Sequence, residues 1–347
     1  MLAWPLVASS PQALIERVAA RHELDVGCLL ESLAHGENAL AALRSSLEQR
    51  FPRGEVPGLE VLVTGSMAKR QSTRGSDIDF FGVVDGEVPA EVTGAVIAAV
   101  LEKAVALGLD APYTHGPSAA MVPRAEIETV HFMDDARRVF RRMTLVTASA
   151  SVYRPDMRAE MMRNVLSSLI GRDRRPRVRG VVDHIIHLNR LGNMATEARM
   201  ADRKPDGGLV HWAKCFTLYR VEFASALAAA FRSEIACEGR SRDDLIDDLA
   251  ARLDELPLVR LLEWYDDVGE GGQEAMAAIL SVSNATLRLL GRDGVRPRLA
   301  ANADDEPTRR LRQEFEQEMA RVGAALIRLF HHEPAFRPLT EELGLFG

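Results

Sequence analysis

Residues 61–84 read VLVTGSMAKRQSTRGSDIDFFGVV: two apolar runs flank a basic, hydroxyl-rich loop, and two aspartates head the second run. Asp77 and Asp79 stand at i and i+2, so on a strand both side chains point to the same face. Two carboxylates at that range repel unless a cation lies between them; left alone, one takes up a proton. The arrangement suits oxygen ligation of Mg²⁺, which uses one or two carboxylates and completes its shell with water and substrate phosphates. Upstream, Gly65 and Ser66 follow the first apolar run directly. A glycine there lets backbone N–H groups approach an anion, and the serine hydroxyl adds a donor. Lys69, Arg70, Ser72, Thr73 and Arg74 supply the loop with groups suited to phosphate charge. A phosphate cradle, a basic loop and a carboxylate pair are the parts of phosphoryl or nucleotidyl transfer. Either half alone reads as an ordinary turn or strand start. In this order, on consecutive β runs, they form a far more specific signal.

Gly65–Ser66, then Ser76–Asp77 and Asp79 on a strand, resembles the signature of the DNA polymerase β-like nucleotidyltransferase superfamily. The resemblance implies that Asp77 and Asp79 bind Mg²⁺ (or Mn²⁺) carrying a nucleoside triphosphate. It also implies that the Gly65–Ser66 turn holds the phosphates, and Lys69, Arg70 and Ser76 are counted with it as nucleotide-binding. A third carboxylate on a later strand completes the two-metal site of that superfamily. Glu126 and Glu128 share one face of a strand expected over 126–132. Glu128, near its centre, is the favoured third catalytic ligand, with Glu126, Asp134 and Asp135 as alternatives. Glutamate there departs from the usual aspartate.

The similarity extends more weakly into the later chain. Arg141–Arg142–Met143 and Lys214 match positions in bacterial stand-alone nucleotidyltransferases with an RYWRT-type helical domain. In place of that motif this chain has His187–Leu188–Asn189–Arg190–Leu191 and keeps Arg190. Lys214 sits on an apolar helical run, where a buried unpaired ammonium is costly. It is read either as a triphosphate contact across a cleft or as a side chain snorkelling at the helix edge. Trp212 beside it is read as core, or as a stacking platform for a base. His184 and His187 share a helix face but have no further ligands at metal spacing.

These residues need a frame. Apolar spacing predicts one or two helices over 11–49 with a break near 25–27, strands over 59–64 and 78–84, and a helix over 89–107 stopped by Gly108. A loop over 112–117 precedes the strand expected over 126–132. After residue 134 the pattern is helical: 135–171, 178–202, 209–235, 241–256, 272–291 and 306–332. The fold class expected is therefore α+β. A polymerase β-like nucleotidyltransferase domain with a mixed sheet and N-terminal helices spans 1–150, and a mostly helical domain over 151–347 closes the nucleotide cleft.

The 347 residues carry a net charge of -7, which argues against a general nucleic-acid binder while leaving room for a local basic cleft. The basic run GRDRRPRVRG (171–180) is read as a solvated loop between helices, with a grip on an RNA acceptor as the rival. Cys28, Cys215 and Cys237 lack metal spacing and read as reduced thiols. The opening segment reads as a terminal stretch packed on the body, with no membrane span, and the expected location is the cytoplasm. The function expected is Mg²⁺-dependent transfer of a nucleoside monophosphate from a nucleoside triphosphate to a hydroxyl of a small-molecule or protein acceptor, releasing pyrophosphate. The alternatives are a nucleotide-binding regulatory sensor without turnover and a tRNA-modifying nucleotidyltransferase toxin.

Overall fold

The computed structural model describes residues 10–52, 55–73, 75–110, 119–130, 134–171, 177–201, 208–334, 336–337 and 340–341. Residues 1–9 of the opening segment, the 112–117 loop, Arg74 and residues 172–176 of the basic run lie outside the described residues. The chain is α+β, 71% helical, around one small mixed sheet. Its first part runs α1 (Pro11–Arg21), α2 (Gly27–Arg50), β1 (Leu59–Thr64), α3 (Gly65–Ala68), β2 (Asp79–Val84), α4 (Ala90–Ala106), β3 (Met121–Pro123), α5 (Arg124–Glu128), α6 (Ala136–Thr147) and β4 (Ala150–Ser151). Helices then follow one another: α7 (Pro155–Leu169), α8 (Arg179–Ala201), α9 (Gly208–Phe216), α10 (Leu218–Ala236), α11 (Arg242–Asp254), α12 (Pro257–Leu262), α13 (Glu270–Gly291), α14 (Val295–Ala301) and α15 (Glu306–Ile327).

The sheet order is β3-β2-β1-β4, with β1 antiparallel to β2 and β4, and β2 parallel to β3. Strand β1 is buried along its whole length, because both faces of the sheet are covered. Alternation decides which side chain goes where. Leu59, Val61 and Val63 pack with Leu40, Leu43 and Val100 from α2 and α4. Leu62, Phe81 and Val83 face the larger core. That core draws Leu14 and Val18 of α1 and Leu29 and Leu33 of α2 together with Leu227, Tyr265 and Ile279. The N-terminal helices are thus packed into the helical part as well as against the sheet.

The sequence expectations for β1, β2, α2 and α4 match the structure within a residue or two, and Gly108 ends α4 with φ +71°. The strand expected over 126–132 is corrected: the described part, 126–130, holds the end of helical turn α5 and its exit. Pro123 starts the turn, Arg124 and Glu128 pair across it at 2.7 Å, and Arg142 captures its end. The buried Arg142 guanidinium donates to the carbonyls of Ile127 (2.9 Å) and Thr129 (2.6 Å). The helix expected over 135–171 is also corrected, since β4 interrupts it to pair with β1.

Glu60 is the one carboxylate buried within the sheet, on β1 opposite Val83. The Ser151 hydroxyl donates to it at 3.0 Å and the Val61 N–H at 2.7 Å. Burial nevertheless pushes its carboxyl up from 4.5 to about 7. Between those values the folded chain holds a proton that the unfolded chain has lost, so stability falls as pH rises through that window. Glu60→Gln should abolish this fall and gain up to roughly 3 kcal/mol over wild type at pH 8. Urea denaturation at pH 4.5 and pH 8 checks it; an unchanged pH slope in the variant would contradict the assignment.

Candidate active site

The site begins where β1 ends. Thr64 lies opposite Asp79 in the β1–β2 register, and the chain turns directly into α3 at Gly65, whose φ is +65°. A Cβ built on Gly65 would lie 2.6 Å from an Asp79 carboxylate oxygen. Both the left-handed backbone and the missing side chain are therefore required there. The glycine of the first motif and the second aspartate of the other are in one contact. Asp77 sits just before β2, bridged in parallel to Asp110: the Asp110 N–H donates to the Ser76 carbonyl and the Ile78 N–H to the Asp110 carbonyl, each at 3.1 Å.

Asp77 and Asp79 line a cavity of about 1100 Å³ together with Gly65, Ser66, Lys69 and Asp110. The opposite wall comes from the helical part. Lys214 of α9 is 7% exposed and lines the cavity, and among the described residues no hydrogen bond or ion pair engages its ammonium. Burial lowers it to about 8, with Arg296 pushing the same way and Asp77 and Asp79 pulling it back up. Tyr219 and Glu222 of α10 and Arg296 of α14 complete this wall. Burial, then Asp79, Glu222 and Asp77, raise the Tyr219 hydroxyl well above its ordinary value, so it stays a donor.

Contacts through Lys69 and Arg296 join the walls. Lys69 pairs with Glu222 at 2.7 Å and lies 3.8 Å above the Tyr219 ring. Arg296 donates to Thr73 Oγ1 and Ser76 Oγ, at 2.7 and 2.9 Å, and to the Gly75 carbonyl at 3.3 Å. The Thr73 N–H also donates to Ser76 Oγ, closing the turn ahead of the aspartates. Ser76 is fully buried and holds this turn, and it does not line the cavity. Nor does Arg70, which pairs with Glu37 of α2 at 2.8 Å.

Glu128 is also elsewhere: it accepts from Arg124 at 2.7 Å and Asn164 at 3.0 Å, and it does not line the cavity. Its alternatives are likewise occupied. Asp134 pairs with Arg142 at 2.8 Å, Asp135 caps α6 through the Arg138 N–H, and Glu126 lies 4.0 Å from Arg138. Trp212 packs against a small core of Leu209, Leu290 and Phe315. The His184 ring donates to the Gly180 carbonyl of its own helix.

Several cavity residues escaped the sequence reading, among them Glu222, Asp110, Tyr219 and Arg296. Glu222 had a usable signal, a carboxylate inside the apolar run LYRVEFASAL. Asp110, Tyr219 and Arg296 had none, because each reaches the site through tertiary folding. Among the described residues no three His, Cys, Asp or Glu side chains gather closely enough to hold a metal unaided. Two carboxylates still fit Mg²⁺, which keeps water and takes phosphate oxygens. No protein-family model matches this sequence, and no curated protein aligns with it.

Lys214→Met tests the cationic wall. Below about pH 8 the buried ammonium costs stability, and the cost fades as pH rises toward 10.5. The variant should melt higher than wild type at pH 7 and lose that advantage at pH 10. It should also bind a nucleoside triphosphate about tenfold more weakly, for loss of a charge-assisted hydrogen bond. A lower melting temperature with unchanged affinity would refute both statements.

Proposed function

We propose that this chain is a Mg²⁺-dependent nucleotidyltransferase of the DNA polymerase β-like kind. It moves a nucleoside monophosphate from a nucleoside triphosphate to an acceptor hydroxyl and releases pyrophosphate. The observation that carries the reading is the seating of Asp79 against Gly65 in a cavity shared with Asp77 and faced by Lys214. In this reading Asp77 and Asp79 hold Mg²⁺, or Mn²⁺ in its place. The ion, when bound, offsets triphosphate charge and makes the acceptor hydroxyl easier to ionise. Ser66 and the α3 backbone meet the phosphates from the sheet side, and Lys214 meets them from the helical side.

The acceptor oxygen attacks the α-phosphorus, and the bond from that phosphorus to the bridging β-phosphate oxygen breaks. Asp110 replaces Glu128 as the third carboxylate and receives the hydroxyl proton, directly or through one water. Tyr219 donates toward the leaving pyrophosphate. Fixed donors aimed at developing charge supply most of the acceleration.

A nucleotide sensor without turnover is the second reading, favoured by the engagement of Glu128 with Arg124 and Asn164. Paired substitutions decide between them. Asp79→Asn should remove the thermal stabilisation by Mg²⁺ and triphosphate, which in wild type should exceed that by the monophosphate. Asp110→Asn should keep triphosphate affinity and lower the single-turnover rate about a hundredfold or more, while Glu128→Gln leaves the rate unchanged. Equal stabilisation by mono- and triphosphate would sink the proposal. Binding without transfer in wild type would hand the site to the sensor reading.

A further inference from the structure

The cavity has more room and more chemistry than a triphosphate uses. Its volume of about 1100 Å³ lies above the roughly 300–1,000 Å³ of most single-ligand sites. Besides the carboxylates and Lys214, its lining includes an apolar wall: Phe140 of α6, Leu188, Leu191 and Met194 of α8, and Phe223 of α10. Leu188, Leu191 and Met194 recur three apart and so form one stripe along α8.

Phe140 and Met194 remain 40% and 65% exposed. They are two of the five large apolar side chains exposed among the described residues, and both lie on this one cavity. An acceptor held through phosphates would need a row of basic groups. Among the described residues this wall offers one basic group, Arg137, one helical turn before Phe140.

We infer that the acceptor is a small molecule with an uncharged, apolar body and a single hydroxyl. The body lies along the α6–α8 wall, and the hydroxyl reaches Asp77 and Asp79. This rests on the reading of the cavity as a nucleotidyl-transfer site. The product is a phosphodiester between the nucleoside monophosphate and that alcohol, with pyrophosphate as the leaving group and the hydroxyl proton passing to Asp110. The wall selects by burial of apolar surface, which is graded by chain length, and an unbranched alcohol series reads it out directly.

Straight-chain primary alcohols from butan-1-ol to decan-1-ol serve as probes, in binding to the full-length chain and in transfer from α-labelled nucleoside triphosphates with Mg²⁺. Both affinity and kcat/KM should climb about fourfold per methylene until the wall is filled. Met194→Lys, at an exposed position that tolerates charge without unfolding, should weaken octan-1-ol binding at least tenfold and leave triphosphate affinity within twofold. Phe140→Ser should act in the same direction. Alcohol binding that follows chain length and is lost in Met194→Lys, with no transfer, would uphold the apolar site while overturning the nucleotidyltransferase reading. The inference itself is overturned by transfer to tRNA or polypeptide with no chain-length trend among alcohols. It is also overturned if Met194→Lys weakens triphosphate as much as alcohol, which would make the wall a nucleobase pocket.

Discussion

The site hangs on one contact: the Asp79 carboxylate rests where a Gly65 side chain would otherwise be. The β1–β2 register sets Thr64 opposite Asp79, and the left-handed Gly65 then turns the chain away into α3. A slip of one residue would swing both aspartates to the other face of the strand, into the apolar core beneath α2 and α4. Burial on both faces of β1 prevents such a slip, because Leu62 and Val63 belong to different cores. The packing that stabilises the sheet is thus the device that aims the carboxylates.

Charge shapes what surrounds that contact. Asp77, Asp79 and Asp110 line the cavity, and so do Lys214, Lys69 and Arg296 from other elements. Of the three cations, Lys69 is taken up by Glu222 and Arg296 by the turn at Thr73–Ser76. Lys214 alone of them has no such partner among the described residues, and it is held nearly dry. A buried cation poised between the neutral and charged states gains most when an anion arrives, since the anion restores the charged form. The site therefore places a buried ammonium where phosphate charge is expected.

Local patterns carried the two central strands and most of the long helices, but not the short strands β3 and β4. The apolar runs at 59–64 and 78–84 and the Gly108 stop needed no tertiary information, and β1, β2 and α4 lie where the sequence predicts them. The run AEIETVHF failed for a physical reason. Its alternation resembles a strand, but Pro123, the Arg124–Glu128 pair and the Arg142 side chain from a later helix wind its first turn into α5. Glu128 was lost as a site residue with it. The sequence-expected residues Gly65, Ser66, Lys69, Asp77, Asp79 and Lys214 do meet in one cavity, whereas Arg70 and Ser76 serve the scaffold. Arg296 and Asp110 were illegible because their roles come from a contact made across more than 200 residues and from a single backbone bridge.

The position of the label in the products tests the central claim most directly. The wild-type protein is incubated with Mg²⁺, an acceptor and nucleoside triphosphate carrying label at either the α- or the γ-phosphate. Nucleotidyl transfer sends the α label to the acceptor and the γ label to pyrophosphate, and both are lost together in Asp77→Asn. A γ label that leaves as orthophosphate or moves to the acceptor, with the α label left on the diphosphate, would contradict it.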